Sequence, residues 1–128
     1  MTSDQGSVDL VRRYVEAVNT RRPEELDAIF APDFVNHGPD GPAHGLGAFK
    51  AFVSRVMGIW PELEITIDAA FTDESFVSGT RVGALVTLRE NNAELGRTLK
   101  MREIWIFRIS EGKLAERWYV LDRAALNV

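Results

Sequence analysis

The chain contains no cysteine, which excludes disulfide scaffolding, a thiolate nucleophile and cysteine-ligated zinc, and gives no reason to expect an oxidising compartment. Histidine is scarce, with only His37 and His44. These two and the intervening Asp40 can be pictured around a cation, yet no further strong ligand stands at a fixed spacing, so no metal site is expected. No apolar run approaches the length of a membrane span, and residues 1–6 lack the basic start and apolar stretch of a signal peptide. The expected setting is the cytoplasm, with no membrane contact. Excess positive charge is missing too: 15 Lys and Arg stand against 19 Asp and Glu, for a net charge of -4. Nucleic acid, whose binding needs a concentrated basic face, is therefore not an expected partner. No serine sits in a nucleophile elbow, which argues against triad hydrolysis. Gly45-Leu46-Gly47 follows a loop rather than a strand and lacks the glycine spacing of a phosphate loop.

What is there is a chain of 128 residues, 45% of them apolar, enough for one domain whose core can enclose one hollow. The domain is read as residues 1–128, with 1–6 as a flexible tail. A small molecule and another copy of the chain are the expected partners.

Apolar residues recur at helical spacing at Val8, Val11, Tyr14, Val15 and Val18, which predicts an amphipathic helix with Ser7 as its N-cap. Pro23 followed by Glu24 and Glu25 predicts a second helix start, with Leu26, Ile29 and Phe30 buried and a stop near Pro32. A short strand over 34–37 precedes a Gly/Pro stretch, from Gly38 to Gly47, expected to hold no regular structure. A third helix is predicted over about 46–60, with Phe49, Phe52, Val53, Val56 and Met57 as its stripe and Pro61 as its stop. After Pro61 the period becomes two, as Leu63, Ile65 and Ile67 alternate with polar residues. Extended runs follow over 76–90 and 98–109, with turns expected at Asn91-Asn92 and Ser110-Glu111-Gly112. Helices first and an antiparallel meander afterwards predict an α+β domain with helices on one face of a curved sheet. Val82, Ala84, Val86 and Leu88 are expected on the outer face, where a second copy would cover them in a homo-oligomer.

The last segment, from Gly112 to Asp122, reads as a turn and a strand ending on a carboxylate. In an unbroken strand, Leu114, Trp118, Val120 and Asp122 share a face. An apolar wall would raise the pKa of Asp122, as a general acid or base working near neutrality requires. The other reading puts Asp122 past the strand end, in water, capping a turn over 123–126.

The order of elements, two helices, a short polar strand, a third helix and long antiparallel strands, resembles the NTF2-like cone fold and, within it, the SnoaL-like polyketide cyclase family. The resemblance is carried by Phe34-Val35-Asn36-His37 with the loop after it, Gly45-Leu46-Gly47-Ala48-Phe49-Lys50-Ala51-Phe52 and Trp60-Pro61-Glu62-Leu63. It continues in Ile104-Trp105-Ile106-Phe107-Arg108, Gly112-Lys113-Leu114 and the run from Trp118 to Asp122. It implies three helices on a strongly curved, mostly antiparallel sheet around one pocket. It also implies a cofactor-independent intramolecular aldol condensation that closes a ring of an aromatic polyketide, with Asp122 as acid and base. The attacking carbon lies between carbonyls and is already acidic, so positioning and proton transfer suffice. The same fold hosts isomerases, epoxide hydrolases, hydroxylation-related proteins and ligand-binding or dimerisation modules, which stand as alternatives.

His37 matches a polar position at the mouth of the family's cone, where it would donate to a carbonyl or orient Asp122; otherwise it anchors a loop. Asn36 is adjacent, so an extended segment turns only one of the two inward, and His37 is the expected one. Arg102 shares parity with Ile104 and Ile106. By comparison with the steroid isomerase branch it falls at a pocket-facing position suited to an oxyanion. The opposite parity turns Glu103, Trp105 and Phe107 inward and leaves Arg102 in a surface pair. Tyr14 lies where some relatives place a substrate-contacting tyrosine, with plain core packing as the alternative. Phe52, Phe49, Met57, Trp60, Trp105 and Trp118 would suit a flat aromatic or polycyclic ligand, and equally the core of any domain this size. An epoxide hydrolase would need a second acid and an asparagine around one water, for which Glu103 and Asn36 are candidates if both point inward.

Overall fold

The first helix stops where two side chains tie it to the sheet. The structure, a computed structural model, describes residues 4–73, 80–92 and 97–122. Helix α1 (Asp4–Asn19) buries Val11, Tyr14, Val15 and Val18 and leaves Arg12, Arg13 and Glu16 in water, as its apolar stripe dictates. Asp4 to Gly6, expected in a tail, form its first turn, and Ser7, the expected cap, is buried inside it. At the far end the Asn19 amide donates to the Ile65 carbonyl at 2.9 Å and accepts from the Ile65 N–H at 2.8 Å. Arg21, at a left-handed φ of 57°, donates to the carbonyls of Val18, Pro61 and Leu63. It thereby satisfies a helix-end carbonyl and anchors the chain entering the sheet.

Pro23–Glu25 makes one 3-10 turn and α2 (Leu26–Ile29) one α turn, with Phe30 already extended at φ -107° and ψ 146°. Pro32 explains this early stop, because its ring excludes Ala31 from the helical conformation. Strand β1 (Phe30–Gly38) therefore starts at Phe30 rather than Phe34. It turns through Pro39 and Asp40 into β2 (Gly41–His44), with His37 opposite Pro42, so the Gly/Pro stretch holds a strand after all. Gly41 supplies a φ of 101°, which a side chain would resist. An edge strand is also where proline, lacking an N–H, is accommodated. Helix α3 (Leu46–Ile59) runs as predicted and buries Leu46, Phe49 and Val53.

Strands β3 (Glu64–Asp73), β4 (Arg81–Asn92), β5 (Arg97–Ser110) and β6 (Lys113–Leu121) complete a six-stranded curved sheet in the order β2-β1-β6-β5-β4-β3. Every pairing is antiparallel except β1 with β6. Asn91-Asn92 continue β4 instead of turning; residues 76–79 and the expected turn over 123–126 lie outside the described residues. The helices pack on one face, over a core of Val11, Leu26, Phe30, Phe34, Phe49, Trp105, Phe107 and Leu114. Val82, Ala84 and Val86 belong to that core, and Leu88 packs against it. They do not form the outer face; Phe71, Ile104, Ile106 and Val120 are exposed there.

One bulge decides the polarity of β6. Ile109 pairs with Leu114 but Arg108 pairs with Glu116, so Ala115 is an extra residue and both Leu114 and Ala115 are buried. Every side chain beyond it is flipped. Arg117, Tyr119 and Leu121 alternate toward the helices, whereas Glu116, Trp118, Val120 and Asp122 alternate outward. Leu114 therefore shares no face with Trp118, Val120 or Asp122.

Candidate active site

The flipped strand brings a charge into the cone. Arg117 is only 2% exposed, and its Nε donates to Oδ1 of Asn36, likewise buried, at 2.9 Å across the parallel β1–β6 pair. Its Cζ lies 4.5 Å from the Tyr119 ring centroid, 5.3 Å from those of Phe49 and Trp105, 5.9 Å from Phe107 and 6.0 Å from Tyr14. Aromatic faces attract a desolvated cation by about 2 kcal/mol or more each in favourable geometry, which helps offset its lost hydration.

Glu103 enters from β5, next to the final strand, and is 8% exposed. Trp105, two residues on and therefore on the same face, donates its indole N–H to Glu103 Oε1 at 2.9 Å. Burial raises the Glu103 pKa, opposed by the Trp105 hydrogen bond and the positive charge of Arg117. Burial likewise raises the Tyr14 hydroxyl, with Arg117 pulling it down. The Tyr119 hydroxyl is also raised by burial, against Arg117. The ring of Tyr119 is half-buried and lies 6.4 Å from Phe52, over which the exposed Arg55 guanidinium sits at 5.8 Å. This succession leads from the buried guanidinium to solvent. Gly38 leaves room for Tyr119: a Cβ there would fall 2.5 Å from the tyrosine hydroxyl. The inner set thus combines a buried carboxyl with a raised pKa, a fixed cation and two phenols among aromatic rings.

A second cluster sits on the outer face. His37 Nε2 lies 2.6 Å from Glu116 Oε2, and Arg108 Nε donates to Glu116 Oε1 at 2.9 Å. The His37 ring stacks on Trp118 at 5.1 Å and 3°, and the Arg81 guanidinium lies 4.6 Å from the Trp118 ring. Burial pushes the Glu116 pKa up, but hydrogen bonds from His37 and Arg108 and their charges outweigh it and hold the carboxyl below its usual range.

Of the residues singled out in the sequence, Asn36 and Tyr14 lie in the inner cluster and Phe52 in the wall leading to it. His37 points outward, because β1 places Asn36 opposite the inward Arg117 and His37 opposite the outward Trp118. Arg102 and Ile104 are exposed on the outer face, since Glu103, Trp105 and Phe107 take the inward parity. Asp122 is exposed, and its backbone N–H donates to the Arg102 carbonyl at 3.1 Å; no apolar wall encloses its carboxyl. Sequence reasoning missed Arg117. The inward parity of Phe107 pointed to it, because Phe107 pairs with Arg117, but only once the bulge is known.

Helices gathered on the concave side of a curved, mostly antiparallel sheet, closing over one polar cluster, define the NTF2-like cone fold. Within that class the chain belongs to the SnoaL-like domain family, whose model matches residues 11–117. Solved structures with the same architecture include AclR, a candidate hydroxylase from Streptomyces galilaeus, at a TM-score of 0.80 and 18% identity over 97% of this chain and 94% of AclR. IdmH, a candidate polyketide cyclase from Streptomyces antibioticus, superposes at 0.79 with 19% identity, covering 95% of this chain and 99% of its own. TsrD from Streptomyces laurentii gives 0.81 with 22% identity, covering 99% and 96%. At such identities the likeness is one of fold. Among curated proteins, none matches the chain. No helix of the described residues is long and apolar enough to cross a membrane.

Proposed function

We propose that the protein is a cofactor-independent cyclase that closes a ring of an aromatic polyketide by intramolecular aldol condensation, with Glu103 rather than Asp122 as acid and base. The observation that carries this reading is the buried, inward Glu103 carboxyl with a raised pKa, in the same cluster as Arg117. Ionised Glu103 takes a proton from a carbon flanked by carbonyls. The resulting enolate carbon bonds to a second carbonyl carbon of the same molecule, and the alkoxide formed there takes the proton back from Glu103. No oxidant or reductant enters, and Arg117, Tyr14 and Asn36 are the groups available to steady the oxyanions. A substrate rich in rings suits walls built from Phe49, Phe52, Trp105 and Tyr119.

A second reading uses the same residues. Asn36 and Glu103 both face inward, as an epoxide hydrolase needs: Glu103 takes a proton from a water held beside Asn36, the water oxygen bonds to an epoxide carbon as that carbon's ring C–O bond breaks, and the alkoxide so formed takes the proton back from Glu103. The exposed Phe71, Ile104, Ile106 and Val120 support a homodimer closed over the outer face, and a chain without cysteine suits the cytoplasm.

The test is exchange of the α-protons of 1-tetralone in deuterated water, followed by NMR. Glu103→Gln is expected to lose roughly 100-fold or more of the protein-catalysed rate, the usual weight of a positioned acid or base, while Asp122→Asn keeps it. A Glu103→Gln variant exchanging as fast as the parent would end the reading.

A further inference from the structure

Arg117 is, among the described residues, a buried cation without a counter-charge at contact distance. Among the described residues, the ion pairs are Arg12–Asp9, His37–Glu116, Lys50–Asp27 and Arg108–Glu116, and none includes Arg117. Among the described residues, Glu103 is the acid that acts on it, at longer range, and its carboxyl accepts from Trp105 instead. Buried charges in proteins are normally paired, because an uncompensated one costs several kcal/mol of hydration. The rings, the Asn36 amide and a hydrogen bond to the Tyr14 hydroxyl hold Arg117 in place without neutralising it. Its planar fork matches a planar, two-oxygen acceptor. Over the guanidinium lies the ring of Tyr119, only half-buried and seated where Gly38 leaves space.

We propose that Arg117 is a substrate-binding residue for a planar, delocalised monoanion on an aromatic small molecule, a carboxylate or an enolate, which reaches it when the Tyr119 ring moves aside. This rests on the cone being the working site, but not on any particular task for Glu103. One guanidinium beside one acid favours a single negative charge over a phosphate dianion.

The test uses the intact protein and two probes. For the carboxylate, binding of 2-naphthoate and of neutral 2-naphthamide is measured by calorimetry. For the enolate, 2-acetyl-1-tetralone is titrated by absorbance with and without protein. The expected results are a preference of roughly tenfold or more for naphthoate over the amide, the scale of one charge-assisted hydrogen-bonded contact, or an enolate band appearing at lower pH with protein. Whichever effect the wild type shows identifies the source of the anion, and it must vanish in Arg117→Met. If Arg117→Met does not fold, Asn36→Asp decides, because a carboxylate placed on the guanidinium must weaken anion binding by about tenfold. Absence of both effects in the wild type, or their survival in the variant that folds, overturns the proposal. Failure of the cyclase reading would look different: Glu103→Gln would exchange 1-tetralone normally while the anion preference stayed.

Discussion

Arg117 and Asn36 meet across the parallel β1–β6 pair, guanidinium Nε to amide Oδ1 at 2.9 Å, with both side chains buried. The bond fixes the orientation of the guanidinium and is the polar link between the first and last strands inside the cone.

Asn36→Leu should leave a buried N–H without its acceptor, at a cost of about 1–3 kcal/mol. Urea denaturation would read this as a lower midpoint with an unchanged slope. An unchanged midpoint would mean the bond contributes nothing to stability.

Glu103 predicts a pH dependence of opposite sign to the usual acid-labile carboxylate. Its folded pKa lies above the ordinary value of 4.5, so the folded state holds the proton more tightly than the unfolded one. Stability is then fully present below about the unfolded value and is lost as pH rises through the folded one. Glu103→Gln, which carries no charge at any pH, should melt higher than the parent at pH 8, with the gap shrinking toward pH 4. A gap that widens on acidification would show that the carboxylate is favoured by its surroundings.

Glu116 runs the other way. Its folded pKa lies below 4.5, with His37 and Arg108 holding the ionised form against burial. The stability it contributes is present above the unfolded value and is lost as pH falls through the folded one. Glu116→Gln should lower the melting temperature at pH 7 by about a few degrees, the scale of a partly exposed pair. The difference should close as the pH falls through the lowered folded value. Equal melting curves at pH 7 would show that the outer cluster is merely solvated.

The helices, the sheet and the order of elements were legible because they rest on periodicity: the stripe of α1, the stop at Pro61, and the alternation of Leu63, Ile65 and Ile67. The site was less legible because it depends on parity, and parity on single residues. The extra Ala115 reverses β6, putting Arg117 inside and Asp122 outside, and no composition or period in Leu114-Ala115-Glu116-Arg117 signals it. Likewise, choosing between Asn36 and His37 required knowing that β1 lies beside β6 with His37 opposite Trp118. The inward set of β5 was visible as one of two readings, and Glu103 follows from the one that holds.

The outer face carries its own prediction. Val120 is 68% exposed and Ile104 49%, so Val120→Lys together with Ile104→Lys should leave the core intact and convert a dimer to a monomer in sedimentation velocity. A wild-type protein already monomeric at micromolar concentration would remove the homodimer from the proposal.

The most direct single measurement is the titration of the Glu103 carboxyl by carbon-detected NMR, assigned with Glu103→Gln, with and without 2-naphthoate. The predicted result is a midpoint clearly above the ordinary glutamate value, moved further upward when an anion enters beside it. A midpoint at the ordinary value, indifferent to the ligand, would mean that Glu103 is solvated and that the cone holds no working carboxyl there.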